Sequence, residues 1–308
     1  MEDATAGDPI SGLKWSHKSL RKIAAALNQQ GYSLSLPTIS RLLRLGSYSL
    51  RVNQRRVAGK QAAGRNEQFE YIGEWRRAFL RRGWPVISVD TKKKELIGNF
   101  KQAGEEWRRR ARAVKMYDFP GDAQGKAVPY GIYDVGRNEG YVSVGHSHDT
   151  PEFAVAAIRR WWVVVGRSAY AECDQLLIEA DCGGSNGNRC LAWKARLQDL
   201  ADEFGLTITV THYPTGASKW NPIEHRMFNL ISHNWAGQPL VSYETMLKHI
   251  RSTRSKTGFR CKARLDKRVY ATQIKVSTEE VARLCLRLHK VFPHWNYTIY
   301  PHTTVENK

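Results

Sequence analysis

Asp90 closes the apolar, β-branched run WPVISVD, Asp181 closes QLLIEAD, and Glu224 falls in the first turn of a helix that begins near Asn221. A sheet delivers side chains at the C-terminal ends of its strands to an edge crevice rather than to the core. Three carboxylates gathered there repel one another by about 4 kcal/mol per pair at roughly 4 Å and an effective dielectric near 20. Cations are needed between them. Hard oxygen donors select Mg²⁺ or Mn²⁺ over zinc, and two such ions about 3.5–4 Å apart clamp the entering and leaving oxygens of a phosphodiester displacement. A single acid after a strand is more often a turn former or a helix cap. All three in this order favour two Mg²⁺ ions, with Mn²⁺ able to substitute.

The elements that must position these acids alternate between strand and helix from about Gln68. After Asp90 comes a second extended stretch, KKKELIGNF, and then a basic segment, EEWRRRARAVK. VPYGIYDV and EGYVSVGHS read as paired strands around the turn Arg137–Asn138–Glu139–Gly140. Thr150 is placed to cap a helix through FAVAAIRRWWVVV. The Gly-rich turn GGSNGN follows Asp181 and leads into the amphipathic helix CLAWKARLQDLADEF. LTITVTH is a further strand, and the loop YPTGASKW connects it to the helix of Glu224. The pattern predicts an α/β fold, a sheet with helices packed on it.

Ahead of this lies a short helical module. Ser16 or Ser19 caps a first helix with the apolar face Leu20, Ile23, Ala24 and Leu27, ended by Gly31. Ser35 caps a second with Pro37 in its first turn, a buried stripe of Ile39, Leu42 and Leu43, and Gly46 as its stop. Two such helices across a tight polar turn suggest a helix-turn-helix, whose second helix would turn Thr38, Ser40, Arg41 and Arg44 to a major groove. The alternative is a helical protein-contact module. Residues 50–66 are basic and rich in Ala and Gly, a linker that either is merely solvated or tracks phosphates.

Lys and Arg number 48 against 29 Asp and Glu, a formal charge of +19 spread along the chain, so a polyanionic partner is expected. No apolar run reaches the roughly 20 residues that span a bilayer, and no signal-peptide core is visible, so the expected location is the cytoplasm, at the bacterial nucleoid. Five Cys without a Cys-x-x-Cys pair read as reduced thiols. Lys92, Lys93 and Lys94 follow the first acid and either hold a phosphate or form a solvated face. Lys219 and Trp220 precede Glu224, and Trp220 either stacks on an unpaired base or packs in the core. His212 and His225 read more naturally as structural than as ligands.

The segments VISVDTKKKELIGNF, PYGIYDV, LLIEADCGGSNGNR, HYPTGASKWNPIEHRMFNLIS and WNYTIYP together resemble the ISAzo-type, or Rhodopirellula-type, DDE transposase domain of bacterial insertion sequences. The NPIE step at Glu224 is also similar to the third-acid motif of Tc/mariner-like transposases. The resemblance implies an RNase H-like mixed sheet with flanking helices, preceded by the helix-turn-helix. It matches Asp90, Asp181 and Glu224 to the family's metal-binding acids. The implied activity is metal-dependent strand cleavage and strand transfer at the ends of an insertion sequence. The partners are double-stranded DNA, as terminal inverted repeats and target, and a second copy of the chain or more. The rival reading is a decayed relic that only binds DNA.

The domain scheme is a helix-turn-helix module at 1–49, a basic linker at 50–67, the catalytic domain at 68–235 and a C-terminal extension at 236–308. Against the family pattern, Cys182, Ala217 and Gln273 replace residues that are usually Gly, Thr and Gly. Ala62–Ala63–Gly64 replaces His-Pro-Asp, and the chain looks short at its N-terminus. Cys182 would strain its turn if that position needs a positive φ.

Overall fold

The computed structural model describes residues 19–49, 64–217 and 220–302, together with the backbone of a two-stranded pair, β1 (Thr5–Gly7) and β2 (Lys14–Ser16). The chain divides into two compact units, Met1–Ala58 and Gly59–Lys308. In the first, α1 (Leu20–Gln29) and α2 (Leu36–Leu45) carry serine N-caps: Ser19 accepts from the Lys22 amide and Ser35 from the Thr38 amide. Each such cap stabilises its helix by about 1 kcal/mol. Ser19, rather than Ser16, starts α1. Ile23 and Ile39 are buried, whereas Leu42 is 48% exposed. Two ten-residue helices cover little surface, so the expected stripe of α2 narrows to Ile39 with Leu43 partly covered. The linker residues 50–63 lie outside the described residues.

The second unit is a sheet between two helical layers. Its strands are β3 (Val86–Thr91), β4 (Glu95–Ile97), β5 (Gly125–Asp134), β6 (Glu139–Gly145), β7 (Gln175–Ala180), β8 (Thr207–His212), β9 (Arg260–Asp266), β10 (Leu286–Leu288) and β11 (Asn296–Ile299). The order across the sheet is β10-β11-β8-β7-β3-β5-β6-β9, with β4 pairing β5 beside this path. β3, β5 and β6 form an antiparallel meander; β7 and β8 then add in parallel on the other side of β3. Counted along the chain, the five central strands run third, second, first, fourth, fifth. This is the RNase H-like arrangement.

Strand alternation sorts the two faces. Ile87, Val89, Ile178 and Ala180 point to one side, where α4 (Pro151–Trp161) and α6 (Leu191–Phe204) bury Phe153, Trp161, Trp193 and Leu197 against them. Thr150 caps α4 as its sequence anticipates, the one-turn α5 (Arg167–Ala169) follows it, and Gly205 in the left-handed region ends α6. The opposite face is covered by α3 (Arg65–Arg81), α7 (Asn229–Asn234) and α8 (Tyr243–Ser252), with Met227, Phe228, Ile231, Met246 and Ile250 in a second core. Residues after 236 supply strands to both edges: β9 joins β6, and β11 joins β8. A five-residue helix, α9 (Thr278–Ala282), held by a capping box from Ser277 and Glu280, precedes β10.

Three departures from the family pattern acquire a physical meaning here. Cys182 is not among the described non-glycine residues of positive φ, so it sits without backbone strain, whereas Gln273 is, at φ 62. A side chain there costs about 1 kcal/mol relative to glycine. Gly64, at φ 74, packs so tightly on Phe292 that any Cβ would drive into the ring.

Candidate active site

The register of the sheet brings two of the acids side by side. The parallel pairing of β3 and β7 ends at Val89↔Ala180, so Asp90 and Asp181 are the next residues on adjacent strands. Alternation places Ser88 with Asp90, and Glu179 with Asp181, on the face turned away from the α4–α6 core. Glu224 comes from the helical layer on that face, in a π-helical turn, Glu224–Phe228, that runs directly into α7. π-turns are rare and concentrate at functional sites.

Asn221 fastens this helix to both strands. It is fully buried; its amide donates to Asp181 Oδ1 at 3.2 Å and to the Val89 carbonyl at 3.4 Å, while its carbonyl oxygen accepts from the Ser88 hydroxyl. The same hydroxyl accepts from the Ile223 amide at 3.1 Å. Gly131, the register partner of Asp90 on β5, lets the helix approach, because a Cβ there would meet Met227 and Phe228. Ser88, Asn221 and Gly131 are thus positioning residues that sequence reading overlooked. The period-two pairing of Ser88 with Asp90 was the available signal.

Burial and mutual repulsion set the electrostatics. The Asp90 carboxyl is pushed up to about 8, first by burial and next by Asp181; the Thr91 amide bond partly offsets this, and Glu224 and Asp149 add to the rise. Asp181 is pushed up to about 6 by burial, with the Asn221 bond opposing and Glu224 adding. Asp149 is a fourth acid not foreseen from the sequence. It accepts from the Thr91 hydroxyl at 3.0 Å and stands 4.0 Å from the Lys94 ammonium. The nearby cations serve other acids: Arg76 pairs with Glu179 and Lys92 with Glu95. Among the described residues, no group of three or more His, Cys, Asp or Glu side chains stands at ion-gripping separation. The three acids are therefore neighbours rather than a closed cage. Among the described residues no Lys or Arg forms an ion pair with these three acids, and Asp90 and Asp181 hold protons above their ordinary range; such hard oxygen donors nonetheless fit a divalent cation.

The remaining sequence-derived residues scatter. Lys92 is buried, 3.2 Å from Glu95 and 4.7 Å above the Trp235 ring, and burial lowers its pKa. Lys93 and Lys94 are exposed. Trp220 is 56% exposed and meets the Phe69 ring edge-on at 6.1 Å. Lys219 lies outside the described residues. On α2, Arg41 and Arg44 are exposed and Ser40 is half-buried, while the Thr38 hydroxyl is 2.8 Å from that of the cap, Ser35. His212 is buried, its Nδ1 2.9 Å from the Asp181 carbonyl oxygen, and burial holds it down at about 4. It stays neutral and props the backbone of Asp181.

These shifts predict a pH signature in metal-free protein. Asp90 keeps its proton when folded up to about pH 8, whereas an unfolded aspartate loses it near 3.8. The folded form therefore loses stability as pH rises through that window. Asp90→Asn removes this loss, so its melting temperature should exceed that of wild type by a margin that widens from pH 5 to pH 8. A margin independent of pH would contradict the shift. Any divalent ion must displace the same proton, so its affinity should rise over the same range.

Comparison with solved structures finds distant likenesses to transposase complexes. The Mos1 transposase paired-end complex with left transposon end is 16% identical over 78% of this chain and 72% of that chain, with a TM-score of 0.43. The Mos1 strand transfer complex is 15% identical over 78% and 71%, with a TM-score of 0.45. The mariner Mos1 paired-end complex with Mg is 13% identical over 79% and 73%, with a TM-score of 0.43. No curated protein matches. The profile of the Rhodopirellula transposase DDE domain, however, matches residues 1–301 continuously. The chain belongs to that family and is a DDE transposase, a polynucleotidyl transferase by class.

Proposed function

We propose that the protein cuts DNA strands at the ends of an insertion sequence and joins them to target DNA, using Asp90, Asp181 and Glu224 as one site for both steps. The observation that carries this reading is the convergence of the three acids, from β3, β7 and the π-turn, on one end of the sheet, where burial and mutual repulsion raise Asp90 to about 8. The three carboxylates would hold two Mg²⁺ ions, with Mn²⁺ able to substitute. When bound, these ions supply Lewis-acid stabilisation of charge on the entering and leaving oxygens. Asn221 fixes the Asp181 carboxylate through Oδ1, and Ser88 holds Asn221 in turn. Lys93 and Lys94 neutralise the flanking phosphates, and Trp220, with Lys219 beside it, meets a base unpaired next to the cut.

Duplex DNA is the proposed partner. The +19 charge supplies sequence-independent affinity, and the exposed Arg41 and Arg44 of α2, with Ser40 and Thr38, read the terminal repeats. In the proposed layout, 1–49 recognises, 50–67 tethers, 68–235 catalyses and 236–308 packs on the catalytic part. Two ends must be handled together, so at least a dimer forms on DNA. The test is a labelled duplex carrying the element's own ends, incubated with the full chain. Nicked and joined products are expected with Mg²⁺ and none with a chelator. Arg41→Ala/Arg44→Ala should lose at least about tenfold in preference for those ends over random DNA, since each base contact contributes ~1–3 kcal/mol. Cleavage unaffected by chelation, or preference unaffected by the arginines, would refute the corresponding half.

A further inference from the structure

The free edge strand β9 reads RCKARLD, alternating exposed Arg260, Lys262 and Arg264 with inward Cys261, Ala263 and Leu265. Cations on an exposed edge discourage edge-to-edge pairing. Here, however, they line a trough with cations from two other elements. A cavity of about 760 Å³ lies between β9, α4 and α8, and a second of about 580 Å³ shares Tyr141, Arg160, Arg251 and Arg264 with it. Arg159 and Arg268 on the walls are taken up by Glu203 and Asp266. Among the described residues Arg160, Arg251, Arg254, Lys262, Arg264 and Lys267 pair with no acid, Arg251 and Arg254 donating instead to backbone carbonyls, and Glu244 is the one lining acid left over. Arg160 Nε is buried in the trough wall with no hydrogen-bond partner among the described residues, an unmet donor that an anion could reach only if neighbouring side chains moved aside.

The trough has a fixed relation to the acids. β9 runs parallel to β6 and ends beside Gly145, and His146 Nε2 then lies 2.9 Å from the Lys267 carbonyl oxygen. Three residues after His146 comes Asp149, bonded to Thr91 next to Asp90. The C-terminal end of β9 therefore lies at the same end of the sheet as Asp90, three strands or about 14 Å across, while Lys262 and Arg264 leave the strand on the face opposite Asp90. Cations two residues apart on β9 repeat at about 6.6 Å, which suits a run of phosphates better than one small anion.

We propose that the β9 edge is a second DNA-backbone site, which grips DNA where it passes around the sheet edge beyond the phosphate being cut. It rests on the nucleic-acid reading above and adds to it a site distinct from α2 and from the three acids. The full chain with Lys262→Gln, Arg264→Gln and Lys267→Gln is to be compared with a control of equal charge loss at the opposite edge, Arg283→Gln, Arg287→Gln and Lys290→Gln. All six side chains are exposed, so both variants should fold. The slope of log affinity for random-sequence duplex against log salt should shrink in magnitude by about 2–3 in the β9 variant, at ~0.9 per lost phosphate contact, and by under about 1 in the control. In wild type, Lys262 and Lys267 should be protected from amine acylation when duplex is bound. Equal slopes in the two variants, or no protection, would overturn the proposal. If the wild type cleaves DNA in any of those cases, the functional reading survives; absent salt-dependent DNA binding by the wild type overturns both.

Discussion

Alanine at Asp90, Asp181 or Glu224 is expected to lower strand cleavage by at least about 10³-fold while leaving DNA binding and fold in place. A 10³-fold loss corresponds to roughly 4 kcal/mol of transition-state stabilisation, which is the scale on which removal of one preorganised charge-stabilising group acts. Binding is spared because it depends on cations elsewhere in the chain. Removing a carboxylate near phosphates relieves repulsion and would, if anything, tighten binding. The fold is spared because Asp90 and Asp181 lie at strand ends rather than in either core, and alanine at Asp181 or Glu224 also removes a charge that raises the Asp90 pKa. Asn221→Ala should fall between wild type and these variants. It touches no reacting atom, but it frees Asp181 and unties the Glu224 helix from β3. Its deficit should appear in turnover rather than in DNA affinity.

The second large effect is on stability. Arg76 of α3 makes a two-pronged bond to Glu179, Nε to Oε1 at 2.7 Å and Nη2 to Oε2 at 2.6 Å, and Nη2 also reaches the Tyr213 hydroxyl. The Glu179 side chain is fully buried on β7, two residues before Asp181. Arg76→Met leaves that buried carboxylate without a countercharge, held by the Tyr213 hydroxyl at 3.2 Å, and should cost about 3–5 kcal/mol. For a chain of this size this is on the order of 10 °C in melting temperature, at roughly 2–4 °C per kcal/mol. Arg76→Met with Glu179→Met removes both charges and should recover most of the loss. A single variant that melts with the wild type would show that the pair does not hold α3 to the sheet.

What the sequence discloses and what it hides follow from how far each contact reaches along the chain. Asp90 and Asp181 are legible because each ends an apolar run, and the caps Ser19, Ser35 and Thr150 because a cap is a local pattern. Glu224 is legible by its place after NPI, but not the π-turn that carries it, since helix type there depends on packing over Gly131. Asp149 joins the acids only through the β3–β5–β6 meander, 58 residues from Thr91. Lys92 looks like a phosphate ligand beside its neighbours. It is instead drawn inward by Glu95 and by Trp235, which approaches from the far side of the chain. The places of β9 and β11 in the sheet are hidden because their partners, β6 and β8, lie well before them in the chain.

The claim that three acids from three elements form one divalent-ion site is tested most directly by titrating Mn²⁺ into the DNA-bound protein and its alanine variants. The wild type should bind Mn²⁺, more tightly at pH 8 than at pH 6. Asp90→Ala, Asp181→Ala and Glu224→Ala should each lose that binding together with cleavage. Undiminished Mn²⁺ binding in any one of the three variants would contradict a shared site.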